Sequence, residues 1–288
     1  MNFQIITDTA SDLSFDYLEE NNVTYLGMTV TVDGKDYYTA QKNAINPAWF
    51  LEQLNNNAQA TTSQINVGQF HEFFLPYAKE GAPILYVGFS SGLSGTFQSA
   101  MQARQMVLED YPNADIRLID TLQAANGEGL LVAKAIELRD AGKSIDEVEE
   151  AIRGLIFNVH GYFTVDDLHH LAKGGRISKT AATIGGLANI KPIMDVDSQG
   201  KLRPIGKIRG RKKALKELVS KTIENLTTEQ TIFINYSGDI EDTLKVKEML
   251  LENALVRDVN INPLGPTITT HTGGGCVAVF FVASESRK

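Results

Sequence analysis

Three short apolar runs constrain this chain more than any other feature. "FQIITD" (3–8), "PILYVGF" (83–89) and "IRLIDT" (116–121) have the length of strands, not of helices. Helical patterns lie between and after them: "NPAWFLEQLNNN", "VGQFHEFFLPYAKEG", "FQSAMQARQMVLEDY", "AANGEGLLVAKAIELRDAGKS" and "IDEVEEAIRGLIFNV". Strand alternating with helix gives an α/β fold with a mainly parallel sheet. Local signals mark the boundaries. "SDLSFDYLEENN" offers Ser and Asp as caps, Asn46 precedes Pro47 at a first helical position, and Asn66 can cap the next helix. Pro76 is expected to kink or end that helix. Asp33-Gly34 sits inside the alternating stretch "VTYLGMTVTVDGKDYY" and signals a hairpin. "ATTSQ" (60–64) reads as a polar loop.

A second series begins near "GYFTV" (161–165). It runs through "DDLHHLAKGGRI", a Gly-rich apolar segment "TIGGLANIKPIMDV", and a hairpin turning at Ser198-Gln199-Gly200. A helix from Lys212, the strand "TIFINYSG", the helix "IEDTLKVKEMLLEN" and a buried strand "CVAVFFVA" follow. We therefore expect two α/β domains, 1–160 and 161–288. The first has a mainly parallel sheet flanked by helices, the second a mixed sheet.

Composition narrows the function. A chain of 288 residues with 43% hydrophobic content can bury a sizeable core. It has no run of 18 apolar residues, so no transmembrane helix is expected. "MNFQIITDTASD" reads as a strand and turn, not a signal peptide. Cys276 stands alone, which excludes an internal disulfide and fits a reducing cytoplasm. The net charge of −8 argues against nucleic acid as a partner. Yet "KLRPIGKIRGRKKALK" (201–216) holds eight of the 27 Lys and Arg and no acid. That segment is either a solvated hairpin and helix face or a docking patch for an acidic partner or a phosphate.

Gly88-Phe89-Ser90-Ser91-Gly92 matches G-x-S-x-G, the nucleophile elbow of serine hydrolases. His271 lies downstream with Asp120 or Asp195 between, so the chain order of a triad can be met. "HTGGG" (271–275) resembles the lipase oxyanion motif, but that motif precedes its nucleophile and here it follows. There is no P-loop and no G-x-G-x-x-G after the first strand. His169 and His170 are adjacent, His71 and His160 are dispersed, and no metal-ligand spacing emerges.

The same loop suits holding a ligand. Ser90, Ser91, Ser94 and Thr96 sit among Gly92 and Gly95, and a helix follows at once. Ser94 therefore lies at or next to a helix N-terminus, where free N–H groups favour an anion. Thr61-Thr62-Ser63 is a second hydroxyl cluster before a helix. "TTHTGGG" adds His271 between two threonines. Loops at one sheet edge would bring these together as a neutral cradle for a small anion such as a carboxylate.

Six motifs in order carry a resemblance that spans nearly the whole chain: "ITDTASDL", "ATTSQ", "FSSGLSGTFQSA", "LAKGGRIS", "KPIMDVDSQGKLRPIGKIRGRKKAL" and "HTGGG…VFF". Together they resemble the DegV family of bacterial fatty-acid-binding proteins, as one unit over about residues 3–284. The resemblance implies a two-domain α/β fold holding one long-chain fatty acid, such as palmitate or oleate, with no cofactor and no metal. It places the carboxylate on Thr62 and Ser94, with Thr61 and His271 close by. It also implies a non-catalytic, cytoplasmic acyl-binding subunit of bacterial fatty acid kinase. Such a subunit presents the acid to a separate ATP-binding subunit, which makes acyl phosphate for phospholipid synthesis, and is compatible with transient membrane contact. Arg176 in "GGRIS" and Arg209 in "KIRGRKK" match positions associated with docking that subunit.

Elementary energetics agree with such a ligand. About 14 methylenes at roughly 0.8 kcal/mol each contribute on the order of 11 kcal/mol, from which association removes several. The head group must avoid being buried unpaired, and neutral donors suffice for that. The alternatives are a serine hydrolase acting on acyl esters through the GFSSG loop, by Ser90 or Ser94, and a module for another small carboxylate or phosphate. Cys276, beside "HTGGG", is a structural thiol or lines the pocket.

Overall fold

The structure, a computed structural model, describes residues 3–166, 168–178, 180 and 189–288. The three apolar runs become neighbours in one parallel sheet. Its spatial order is Val23–Leu26, Gln4–Asp8, Ile84–Gly88, Ile116–Asp120. Ile84–Gly88 is buried at every position, as a parallel strand covered on both faces must be. Alternate residues feed two cores. Ile5, Leu85 and Val87 pack with Leu131, Val148 and Ile152 of the helices Asn126–Asp140 and Ile145–Leu155. Ile6, Ile84 and Tyr86 pack with Phe70, Phe74 and Ala103 of the helices Val67–Glu80 and Thr96–Asp110.

The second sheet has six strands in the order Leu202–Arg209, Ile190–Val196, Val159–Thr164, Val277–Val282, Gln230–Tyr236, Val256–Pro263. It is mixed: the last pair is parallel and the other pairs are antiparallel. Ala214, Leu218, Val246 and Leu250, from the helices Arg211–Asn225 and Glu241–Leu251, fill the core on one face. The helix Asn126–Asp140 touches both large sheets, which explains why every residue from Asn126 to Val132 is buried. An α/β fold with a parallel sheet and a mixed sheet flanked by helices is thus what forms.

Several local expectations need correction. "ATTSQ" is not a loop: Ala60–Ser63 is an edge strand of a third, antiparallel sheet with Thr29–Val32 at its centre and Lys35–Tyr38 beyond. The β-branched threonines suit a half-buried strand. The Asp33-Gly34 turn joins the other two strands, with both residues at positive φ. Pro76 does not end its helix, which continues to Glu80. Pro76 and Glu72 are both exposed, so the carbonyl deprived of its donor faces water. The strand Val256–Pro263 and the short helix Pro266–Thr272 add to the expected elements. The Gly-rich segment before Ile190 lies, over 183–188, outside the described residues. The hairpin turn does form at 197–200, with Gly200 at φ +71°. Among the described residues, no helix is long and apolar enough to cross a membrane.

Candidate ligand-binding site

The strand Gln4–Asp8 organises the site from behind. Asp8, fully buried, accepts at Oδ2 from Tyr86 O–H at 2.6 Å and from Phe89 N–H at 3.1 Å. That pins the start of the Ser/Gly loop to the end of the sheet. Burial raises the Asp8 pKa, and the donated hydrogen bonds oppose the rise. Asp12 accepts at Oδ1 from Gly265 N–H at 3.0 Å. Gly265 opens the helix Pro266–Thr272, which carries His271 near its C-terminal end. The two acids of "DTASD" thus fasten two separate pieces of one site.

Within the loop, Ser90 and Ser94 part company. Ser90 is buried, its hydroxyl donating to Gly200 O at 2.8 Å and accepting from Gly92 N–H at 3.1 Å. Its proton is committed to a carbonyl and its oxygen to a backbone amide, not to a histidine. Ser94 Oγ lies 2.9 Å from Thr96 Oγ1 and accepts from Thr96 N–H at 3.2 Å. It precedes Gly95, the cap of the helix Thr96–Asp110, which has no side chain of its own to offer. A Cβ at Gly95 would lie 2.2 Å from Gln64 Oε1, so glycine is required for this approach.

Thr62 comes from the edge strand Ala60–Ser63, and strand alternation sorts its neighbours. Thr62 is half-buried and faces the site, whereas Thr61 is exposed on the opposite side and does not line the cavity. Thr61 is therefore not brought to the head-group position. Thr62 Oγ1 lies 2.8 Å from His271 Nε2, across 209 positions of sequence. His271 Nδ1 is buried and has no hydrogen-bond partner among the described residues. Desolvation, with the neighbouring charges of Arg176 and His170, depresses the His271 pKa to about 4. The imidazole is therefore neutral at ordinary pH. A proton on Nε2 given to Thr62 leaves the threonine hydroxyl free to donate elsewhere.

These groups meet at the wall of one cavity. Its polar lining is Thr62, Gln64, Ser94, Thr267, Thr272, His271 and Arg176, and most of the rest is apolar, including Met28, Phe89, Leu93, Phe163 and Leu264. Cys276 also lines it, buried, with its thiol pushed up to about 12 by desolvation and hence uncharged. Among the described residues no group of three or more His, Cys, Asp or Glu could hold a metal ion.

The two arginines lie in different settings. Arg176 is half-buried in the cavity wall, Nε donating to Leu93 O at 3.3 Å and Nη1 to Gly174 O. Burial lowers its pKa. It adds a formal charge to an otherwise neutral lining. Arg209 is exposed, at the end of the outermost strand of the six-stranded sheet. Gln64 and Thr267 were not anticipated. Gln64 had a signal: it lies two residues beyond Thr62, and period two carries it to the same side.

An α/β protein of three sheets with a largely apolar cavity and its hydrogen-bonding groups clustered is the class that fold and site define. Residues 2–284 match the model of the DegV family, described as uncharacterised proteins of that family. The chain belongs to the DegV family. It is 46% identical to a DegV domain-containing protein of Lactococcus lactis, over the whole of both chains. A DegV domain-containing protein of Clostridium perfringens is 42% identical over 97% of each. Among solved structures, a fatty-acid-binding DegV family protein from Thermus thermophilus superposes with a TM-score of 0.89 at 29% identity, covering 98% of this chain and 100% of that one. One from Streptococcus agalactiae, likewise described as fatty acid binding, gives 0.87 at 29% identity, covering 99% and 100%.

Proposed function

We propose that this protein binds one long-chain fatty acid in the cavity. The carboxylate lies against Thr62 and Ser94, with His271 behind Thr62, and the acyl chain fills the apolar part. One observation carries the reading: an apolar cavity whose hydroxyls come from three distant segments and meet beside a neutral imidazole. The fatty-acid binding described for related DegV proteins supports it. Arg176 adds positive charge to the wall that the carboxylate would face. No observation favours a hydrolase, because the Ser90 hydroxyl is buried in a structural hydrogen bond and His271 pairs with Thr62. Native mass spectrometry of the purified chain tests the reading. A co-purifying long-chain acid, lost on denaturation, is expected. An empty cavity that takes up no added acid overturns it, and a covalent fluorophosphonate adduct on Ser90 or Ser94 would install the hydrolase instead.

The finer proposal is that the protein presents its acid to a fatty acid kinase subunit, which phosphorylates the carboxylate. Docking through Arg209 fits its exposure and the run of exposed Lys207, Lys212, Lys213 and Lys216 around it. Arg176 differs, since its guanidinium also holds the loop that carries Ser94. Arg209→Glu should therefore weaken acyl-phosphate formation with the kinase subunit and leave fatty-acid uptake unchanged. Arg176→Glu should weaken both.

A further inference from the structure

We infer that Phe280 is the end stop of the cavity and sets the length of acyl chain that it accepts, an inference that rests on the fatty-acid reading above. The strand Val277–Val282 divides its side chains between two cores. Val277, Val279 and Phe281 pack with the helices behind the six-stranded sheet. Cys276, Ala278 and Phe280 face the other way and line the cavity. His271 lies five positions before Cys276, so the polar cradle is at the Cys276 end. At ~3.4 Å per residue, Phe280 lies ~14 Å further on. Moving away from the cradle, this strand thus presents a thiol, then a methyl group, then a phenyl ring.

Glycines hold the ring in place. Gly161 is directly opposite Phe280 in the sheet. A Cβ on Gly161 would lie 2.6 Å from the ring's Cε1 and 2.8 Å from its Cδ1, and one on Gly127 would lie 2.9 Å from Cδ1. A glycine inside a strand marks such a close approach. Gly161 is not at positive φ, so an alanine there has only the ring to displace. Gln123 stands against the same two glycines and does not line the cavity; its Nε2 donates to Val159 O at 2.7 Å, while its buried Oε1 has no partner among the described residues. The phenyl ring separates the apolar cavity from that amide. A tail that passed it would bury methylenes against an unpaired carbonyl oxygen, which is unfavourable.

The test is the affinity of the full chain for a series of saturated acids from dodecanoic to docosanoic, read by displacement of a fluorescent fatty acid. Gly161→Ala pushes the ring into the cavity. It should move the optimum to shorter acids, with about tenfold loss for an acid whose last two methylenes no longer fit. Phe280→Ala opens the end and should raise the affinity of acids two carbons beyond the wild-type optimum by about tenfold. Phe280→Leu should shift the optimum in the same direction by less, and it serves if the alanine variant does not fold. Unchanged optima in Gly161→Ala and Phe280→Leu, with binding intact, overturn the end stop alone. A wild-type protein that takes up none of the acids overturns both the end stop and the reading beneath it.

Discussion

Two buried polar clusters lie close together and use opposite chemistry. Around the end of the first strand, Asp8, Asp12 and Glu128 are ionisable acids, each with its pKa raised by burial. Their hydrogen bonds go to Ala10, Phe89 and Gly265 N–H groups and to Tyr86 and Thr7 hydroxyls. At the cavity, Thr62, Ser94 and His271 are neutral, and their hydroxyls have bonding capacity left over. The acids are spent on architecture, while the neutral groups are left for a ligand. Burial already disfavours the charged forms of Asp8 and Glu128, and an anion beside them would disfavour those forms further. None of the three acids lines the cavity, so they fasten the site without facing an anion in it.

The contrast is sharpest if each cluster is broken in turn. Asp8→Ala leaves three buried donors unpaired and should cost roughly 3 kcal/mol or more of stability, read as a lowered denaturant midpoint at unchanged slope. A protein as stable as wild type would show that Asp8 is not the fastener. Next in size is the pH effect of His271. Its folded pKa of about 4 lies below the ordinary value of 6.5, so between those pH values the unfolded chain binds a proton that the folded one refuses. Stability should fall as pH drops from about 6.5 to 4, by on the order of 2 kcal/mol after allowance for partial exposure. His271→Gln should lose that component. Asp12 and Glu128, whose raised pKa values act with the opposite sign, remain in both proteins, so the difference between the two melting curves isolates the imidazole. Ser94→Ala should reduce fatty-acid affinity about 10- to 100-fold, the worth of one hydrogen bond to a charged group, with little change in melting temperature. Ser90→Ala should do the reverse, costing ~1 kcal/mol of stability and leaving affinity alone. Equal effects of the two serine variants on binding would erase the distinction drawn between them.

The neighbouring serines show where sequence reasoning succeeds and where it stops. That a hydroxyl-rich turn precedes a helix is visible in "FSSGLSGT", and with it Ser94 beside a helix N-terminus. That Ser90 is consumed depends on Gly200, 110 positions away. Thr61 and Thr62 repeat the lesson. Reading "ATTSQ" as a loop leaves both free to face a ligand. Pairing with Thr29–Val32 turns it into a strand, and one threonine must then point out.

By itself the sequence determined the alternation of strand and helix, the parallel and mixed sheets, the Asn46 and Asn66 caps and the hydroxyl-bearing segments. These depend on period and on near neighbours, which the chain carries locally. Tertiary structure decided which hydroxyl faces the cavity, that Arg176 enters its wall, that His271 meets Thr62, and that Phe280 closes the far end. Each of these depends on partners tens to hundreds of residues away, and a side chain's direction has no meaning until its strand has found its register.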